Sequence, residues 1–287
     1  MNFISNIIKK DHSINVYKYD GKGLEPINTL FYEDGLKICF IDLETTGLDK
    51  FNSEIIEVAM KVVLVNEKSG DIINVIDEYE SLQQPEGIIT QTITNVTGIT
   101  NEMVEGRSID WNYVNDIVKS SDIMVAHNAR FDRGFFDLVS EYSKEKIWCC
   151  SVNDINWSDL GFSSKKQEML CMWHGFYYSS HRAMNDVNAL IHLVTHKSYT
   201  EEKPLKQIIM SSKESIYRIY AENFKYNEEK KNIIKNNKYR WDPVRKVWSK
   251  EVKFDELESE KIWLTDVIYD DTFLGSVMEI SNTNKYK

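Results

Sequence analysis

The sequence has little of the residues that bind small secreted domains together. It has only four cysteines, Cys39, Cys149, Cys150 and Cys171, and none of them forms a CxxC pair. That excludes a disulfide framework and a zinc or thiol-redox motif, and leaves reduced, buried thiols as the expectation. Adjacent Cys149 and Cys150 would point to opposite sides of a strand. Prolines are as scarce, at four. No apolar run approaches the roughly 18 residues a membrane span needs, and MNFISNIIKKDHS lacks the apolar core and small-residue cleavage site of a secretory signal. A cytoplasmic location away from membranes is expected.

Overall positive charge is lacking too, since the net charge over 287 residues is −10. A protein that coats nucleic acid by bulk electrostatics is thereby disfavoured. The balance is uneven. Residues 1–199 carry 18 basic and 29 acidic side chains, whereas 225–253 carry ten and four. An acidic body with one basic stretch binds phosphates when cations sit in the acidic part.

With 42% apolar and 28% charged residues, the composition is globular. LKICFID (36–42) reads as a buried central strand, and EIIEVAMKVVLV (54–65) and INVIDEYESLQ (73–83) as two more in a meander. A helix over 109–119, a strand over 122–127, an amphipathic helix over 128–143, a strand at WCCSVND and helices over 164–174 and 182–196 follow. This order predicts an α/β fold with a mixed sheet flanked by helices. The polar, proline-containing 199–214 reads as a linker. Beyond it, a strand (216–224), a helix (227–237), a hairpin around PVRK and a helix (254–269) predict a small α+β domain over 215–287. Residues 1–30 read as an N-terminal extension, followed by a main domain over 31–198.

Asp42 and Glu44 in CFIDLETTGL lie two apart at the end of the first strand, so both carboxylates face one spot. Like charges that close repel unless a cation neutralises them, and hard divalent ions take carboxylate oxygens, although surface strand ends often carry such a pair with no metal. Asp132 in AHNARFDRGFFD opens a helix after a second buried strand. Alone it reads as a first-turn acid complementing the helix dipole. Asp186 in HRAMNDVNALIHLV falls on the inward face of its helix, an odd place for a charge. His181 stands five residues earlier, while His174, His192 and His196 read as packing residues. Together, four convergent carboxylates and one imidazole are the inventory for two-metal hydrolysis of a phosphodiester.

FIDLETTGL, AHNARFD and HRAMNDV, in that order, resemble the three motifs of the DEDDh, or DnaQ-like, 3'→5' exonuclease family, over roughly residues 35–196. The resemblance implies a ribonuclease-H-like fold and release of nucleoside 5'-monophosphates from a 3' end. It also implies two Mg²⁺ or Mn²⁺ ions held by Asp42, Glu44, Asp132 and Asp186, with His181 as general base. Thr45, Thr46, Gly47 and Leu48 would line the terminal nucleotide, with Leu48 wedged against the base, and Asn128 and Phe131 would shape the pocket. Thr-Thr-Gly also suits a turn, and Phe131 the core. In VTGITNEMV, Thr97 replaces a family histidine, so the base contact that the histidine makes is not implied here.

In KYRWDPVRKVWSKEV, Arg240, Trp241, Arg245, Lys246 and Trp248 interleave rings and cations, as on a single-strand binding surface. The same tryptophans equally suit the core of a small domain. Nucleic acid is the expected partner, with single-stranded DNA favoured over RNA. An exoribonuclease and a binding module without turnover are the alternatives.

Overall fold

The computed structural model describes residues 15–22, 35–269 and 271–287. Most of the expected N-terminal extension, 1–14 and 23–30, lies outside the described residues, as do 31–34 at the start of the expected main domain. The chain divides into two compact units, residues 1–212 with 286–287, and residues 213–285.

The first unit is built on a five-stranded sheet of β2 (Leu36–Thr45), β3 (Ile55–Val65), β4 (Ile72–Leu82), β5 (Ile123–Ala126) and β6 (Ile147–Cys150), in the order β4-β3-β2-β5-β6. β2 runs antiparallel to β3 and parallel to β5, and β5 runs parallel to β6. It is therefore a mixed sheet with a switch in connection direction beside β2, the place where open α/β sheets take ligands beyond the strand ends. All eleven residues of β3 are buried, nine of them apolar and two, Glu57 and Lys61, charged, as in a strand covered on both faces.

Strand alternation splits the core in two. Ile38, Phe40, Ala59, Val63, Val125 and Cys149 pack with Val187, Leu190, Ile191 and Val194 of helix α6 (Ala183–Val194). Cys39, Ile41, Leu43, Met60, Met124 and Cys150 pack on the other side with α3 (Trp111–Ser120) and α4 (Ala129–Val139). Each buried aliphatic side chain stabilises by about 1.5–3 kcal/mol. Cys149 and Cys150 thus face opposite layers, and all four cysteines are free and buried. The remaining helices of this unit are α1 (Gln91–Thr97), α2 (Asn101–Val104), α5 (Gln167–Trp173) and α7 (Pro204–Ser212).

Two features depart from expectation. The stretch expected as a linker contains α7, whose Leu205, Ile208 and Ile209 are buried in the first core layer. Pro204 starts this helix instead of breaking the chain, because a first-turn residue needs no amide hydrogen. Within the expected extension, β1 (Tyr17–Lys18) pairs in parallel with β7 (Phe176–Tyr177). There Tyr19 stacks on His192 with ring centres 4.3 Å apart, and the Tyr17 hydroxyl is 2.6 Å from His192 Nε2. His174, His192 and His196 pack edge to face within 5.3 Å of one another in pairs.

The second unit is a four-stranded antiparallel sheet, β11-β8-β10-β9, made of β8 (Ile216–Ala221), β9 (Arg240–Asp242), β10 (Val247–Val252) and β11 (Ser276–Ile280). Helices α8 (Glu228–Asn236) and α9 (Phe254–Leu264) supply Ile234 and Leu264 to its core, against Ile219, Ala221 and Val252. β11 adds a strand that the sequence pattern did not suggest, because four of its five residues are exposed.

Candidate active site

The carboxyl end of β2 organises the site. Asp42 and Glu44 share the face that carries Ile38 and Phe40, the face covered by α6. Their neighbours across the β2–β3 ladder are Ala59 and Glu57. Ala59 is small and leaves space in front of Asp42. The register shifts between Glu44 and Thr45, a bulge that ends regular pairing and re-aims the chain into the following loop.

Asp186, in the first turn of α6, completes a triad with Asp42 and Glu44. One oxygen from each lies within 4.8 Å of the others. Its Oδ1 accepts the Tyr178 hydroxyl at 2.7 Å and its Oδ2 the backbone N–H of His181 at 2.8 Å. The Gln167 amide donates to the Tyr178 hydroxyl and to the Asp186 carbonyl, tying α5 to the same residue. Asp132, 2% exposed in the first turn of α4, is held by its own backbone N–H and that of Leu43. His181 is exposed, with a left-handed φ of 63°.

Electrostatics mark these acids out. Burial, then the charges of Asp132, Asp186 and Glu44, push Asp42 well above the usual carboxylate range. Burial and then Asp186 raise Glu44 to about 8, and burial raises Asp132 to about 8 against its two N–H bonds. Burial raises Asp186 too, opposed by Tyr178 and the His181 amide. Clustered acids of this kind repel one another unless a cation enters, so the donor set fits a hard divalent ion.

The flanking residues divide. Thr45 is buried and its hydroxyl donates to the Gly47 carbonyl, while the Thr46 hydroxyl accepts the Glu54 amide. Both hydroxyls therefore shape the turn. A Cβ on Gly47 would lie 2.6 Å from Ser53 Oγ, so the turn closes tightly there. Leu48, 88% exposed, projects into solvent. Asn128 takes a left-handed φ of 73° at the start of α4, with its exposed amide making no capping bond. Phe131 packs on Phe135 with ring centres 5.1 Å apart. Thr97 is buried and its hydroxyl bonds within its own turn, to the Ile93 carbonyl and the Ile99 amide.

In the second unit, Trp241 and Trp248 face each other across the hairpin with rings 5.6 Å apart. Trp248 packs against the small core, and Trp241 stays 48% exposed. Arg240, one residue along, points to the opposite face of the sheet. Arg245 lies over the Tyr220 ring at 5.0 Å, and Lys246 sits in the turn with a φ of 54°.

Sequence reasoning passed over Tyr178, Gln167, Arg182 and Glu57. For Glu57 a signal exists, a lone carboxylate inside the apolar run IIEVAM. Tyr178 and Gln167 carry none, since their roles arise only when α5 and α6 pack together.

Comparison with known proteins places the chain in a family. Residues 39–194 match the RNase T exonuclease family, and the chain belongs to that family, a class of divalent-metal-dependent nucleases with the DnaQ-like, ribonuclease-H-like fold. Among curated proteins it is 39% identical over 112 residues to DNA polymerase III PolC-type of Oceanobacillus iheyensis, covering 37% of this chain and 7% of that protein. It is 32% identical over 162 residues to the same enzyme of Halalkalibacterium halodurans, covering 53% and 11%. The chain thus spans about a tenth or less of these relatives' length. Among solved structures, E. coli exonuclease I in complex with single-stranded DNA aligns with a TM-score of 0.49 at 16% identity, covering 64% of this chain and 48% of that one. Exonuclease X in complex with 5' overhanging duplex DNA aligns at 0.42 and 21%, covering 60% and 99%.

Proposed function

We propose that the protein is a 3'→5' exonuclease that removes nucleoside 5'-monophosphates from single-stranded DNA by a two-metal mechanism. The observation that carries this reading is the convergence of Asp42, Glu44 and Asp186 within 4.8 Å, with Asp132 buried alongside. Kinship to a stretch of DNA polymerase III PolC-type supports DNA as the substrate.

Asp42, Glu44, Asp132 and Asp186 would hold Mg²⁺ or Mn²⁺, and two such ions supply activation of the attacking water and charge stabilisation at the leaving oxygen. His181, exposed and tied through its backbone N–H to Asp186, would take a proton from the attacking water as general base. Leu48 packs against the terminal base, and the Asn128 amide is available to the nucleotide beside Asp132. The hairpin around Arg240, Arg245 and Lys246 contributes affinity for longer strands through phosphate contacts, with Trp241 available for stacking.

Digestion of 5'-labelled DNA and RNA strands of one sequence, with Mg²⁺, Mn²⁺ or EDTA and an Asp42→Ala control, tests this. A metal-dependent ladder shortening from the 3' end of DNA, lost in the variant, is expected. A ladder on RNA alone overturns the substrate, and cleavage from the 5' end overturns the polarity.

A further inference from the structure

Glu57 is completely buried on β3, directly across the ladder from Glu44. Two like charges placed opposite each other on an antiparallel pair destabilise it, and a buried carboxylate without a partner costs several kcal/mol. Glu57 is far from unpartnered. Its Oε1 accepts Arg182 Nε at 3.1 Å and Nη2 at 2.8 Å, and its Oε2 accepts the backbone N–H of Ala183 at 2.9 Å. Arg182 also lies 3.8 Å from Glu80 on β4.

These bonds land on two consecutive residues, Arg182 and Ala183, where α6 begins. Arg182 occupies the cap position of α6 but makes no side-chain cap bond of its own. Glu57 therefore caps the helix from the neighbouring strand, placing a negative charge where the helix dipole favours one. His181 is the very next residue, and its strained left-handed backbone is pinned on the other side by the amide bond to Asp186. A non-glycine residue holds a positive φ only where its surroundings impose it. Here the Asp186 bond and the Glu57 bonds impose it from either side.

We infer that Glu57 and Arg182 are positioning residues for His181, clamping the histidine-bearing turn to the strand beside Glu44. This inference rests on the proposed role of His181 as general base. The clamp also brings a cationic side chain beside the acids, and Arg182 counters the upward push on Glu44. A general base misplaced by about 1 Å loses on the order of 100-fold in rate.

The test uses the full chain with Glu57→Gln and Arg182→Gln, each alone and combined with His181→Ala, on 5'-labelled single-stranded DNA with Mg²⁺. Each single variant should lower kcat about 10- to 100-fold while KM moves less than about twofold. In the His181→Ala background the same substitutions should cost less than about threefold, because the group they position is gone. Equal losses in both backgrounds overturn the inference, as does full kcat in a folded variant. Arg182 is partly exposed, so Arg182→Gln carries the test if Glu57→Gln does not fold. The His181 ring Cε1–H resonance, assigned by its loss in His181→Ala, gives a readout independent of turnover. It should shift in both clamp variants, and an unmoved resonance also overturns the inference. Absence of digestion by the unaltered chain would sink the exonuclease reading, and the resonance would still decide the clamp.

Discussion

The two ends of helix α6 treat buried titratable groups in opposite ways. At its start, Asp186 joins Asp42, Glu44 and Asp132, four acids that burial, and for Asp42, Glu44 and Asp132 also the charge of neighbouring carboxylates, drives toward holding protons. At its far end, His192 and His196 join His174 among Tyr17, Tyr19 and Tyr199. Burial lowers His174 and His192 to about 4 and His196 to about 3, and each ring has a hydrogen-bond partner. The imidazoles of this cluster are held neutral and each is hydrogen-bonded, while the buried Tyr19 hydroxyl beside them has no partner among the described residues. The acid cluster is complete only with a cation. Burial of an ionisable group thus says little about function, and the state of its partners says much.

Breaking the acid cluster should have the largest effect. Asp42→Asn should abolish metal-dependent hydrolysis, a loss of about 1,000-fold or more given the several kcal/mol such stabilisation supplies. At alkaline pH, where the metal-free acids are forced to ionise, the same variant should melt about 2–4 °C higher, because removing one repelling charge is worth about 1 kcal/mol in a domain of this size. Calorimetry in EDTA reads this, and a lower melting temperature would contradict the repulsion. Next come paired histidine variants. His181→Ala should cost about 100- to 10,000-fold in turnover with little change in melting. His192→Ala should keep turnover and lose about 0.5–1.5 kcal/mol of stability for each ring contact removed, those with Tyr19 and Phe176. Denaturant unfolding beside single-turnover kinetics separates the two.

Titration sharpens the contrast. Glu44 and Asp132 have folded pKa values raised to about 8, so their contribution to stability is present below pH ~4 and is lost as pH rises through 8. The histidines have lowered values, so theirs is present above pH ~6.5 and is lost as pH falls through 4. Metal-free protein should therefore lose melting temperature from pH 6.5 to 8, where these acids titrate and the contribution of the histidine cluster is constant. Saturating Mg²⁺ should flatten that limb and leave the acidic one. A limb unchanged by Mg²⁺ would show that the acids do not bind it.

Smaller effects follow further out. Tyr178→Phe removes one bond to Asp186 and should weaken Mn²⁺ binding about tenfold, measured calorimetrically, with melting little changed. Smallest is the triple variant Arg240→Ala, Arg245→Ala, Lys246→Ala. It should weaken binding of long strands a few-fold and reduce the salt slope by about 0.7 for each phosphate that is no longer neutralised. An unaltered slope would assign those cations to the solvated surface of the hairpin.

How much of this was legible beforehand depended on the kind of signal. β2, β3 and β5 are dense in apolar residues, and their runs stand out in the sequence. Asp42, Glu44, Asp132, His181 and Asp186 carry recognisable local patterns, and the structure gathers three of the acids directly. The pairing of β1 with β7 joins positions more than 150 residues apart through two-residue strands, too short for any periodicity. Helix α7 hid behind a proline and a polar lead-in. Glu57 escaped because its run reads as a strand whether or not one member is charged. Its task is visible only once β3 is placed beneath the start of α6.

The four natural thiols have a practical consequence. All are buried and burial raises those of Cys39, Cys150 and Cys171, so none offers a reactive thiolate to a labelling reagent. Cysteines introduced at exposed positions, one by Glu105→Cys in the first unit and one by Val244→Cys in the second, would accept a donor and an acceptor dye without any native cysteine being removed. Each unit then carries its own label site for fluorescence measurements on the otherwise unaltered chain.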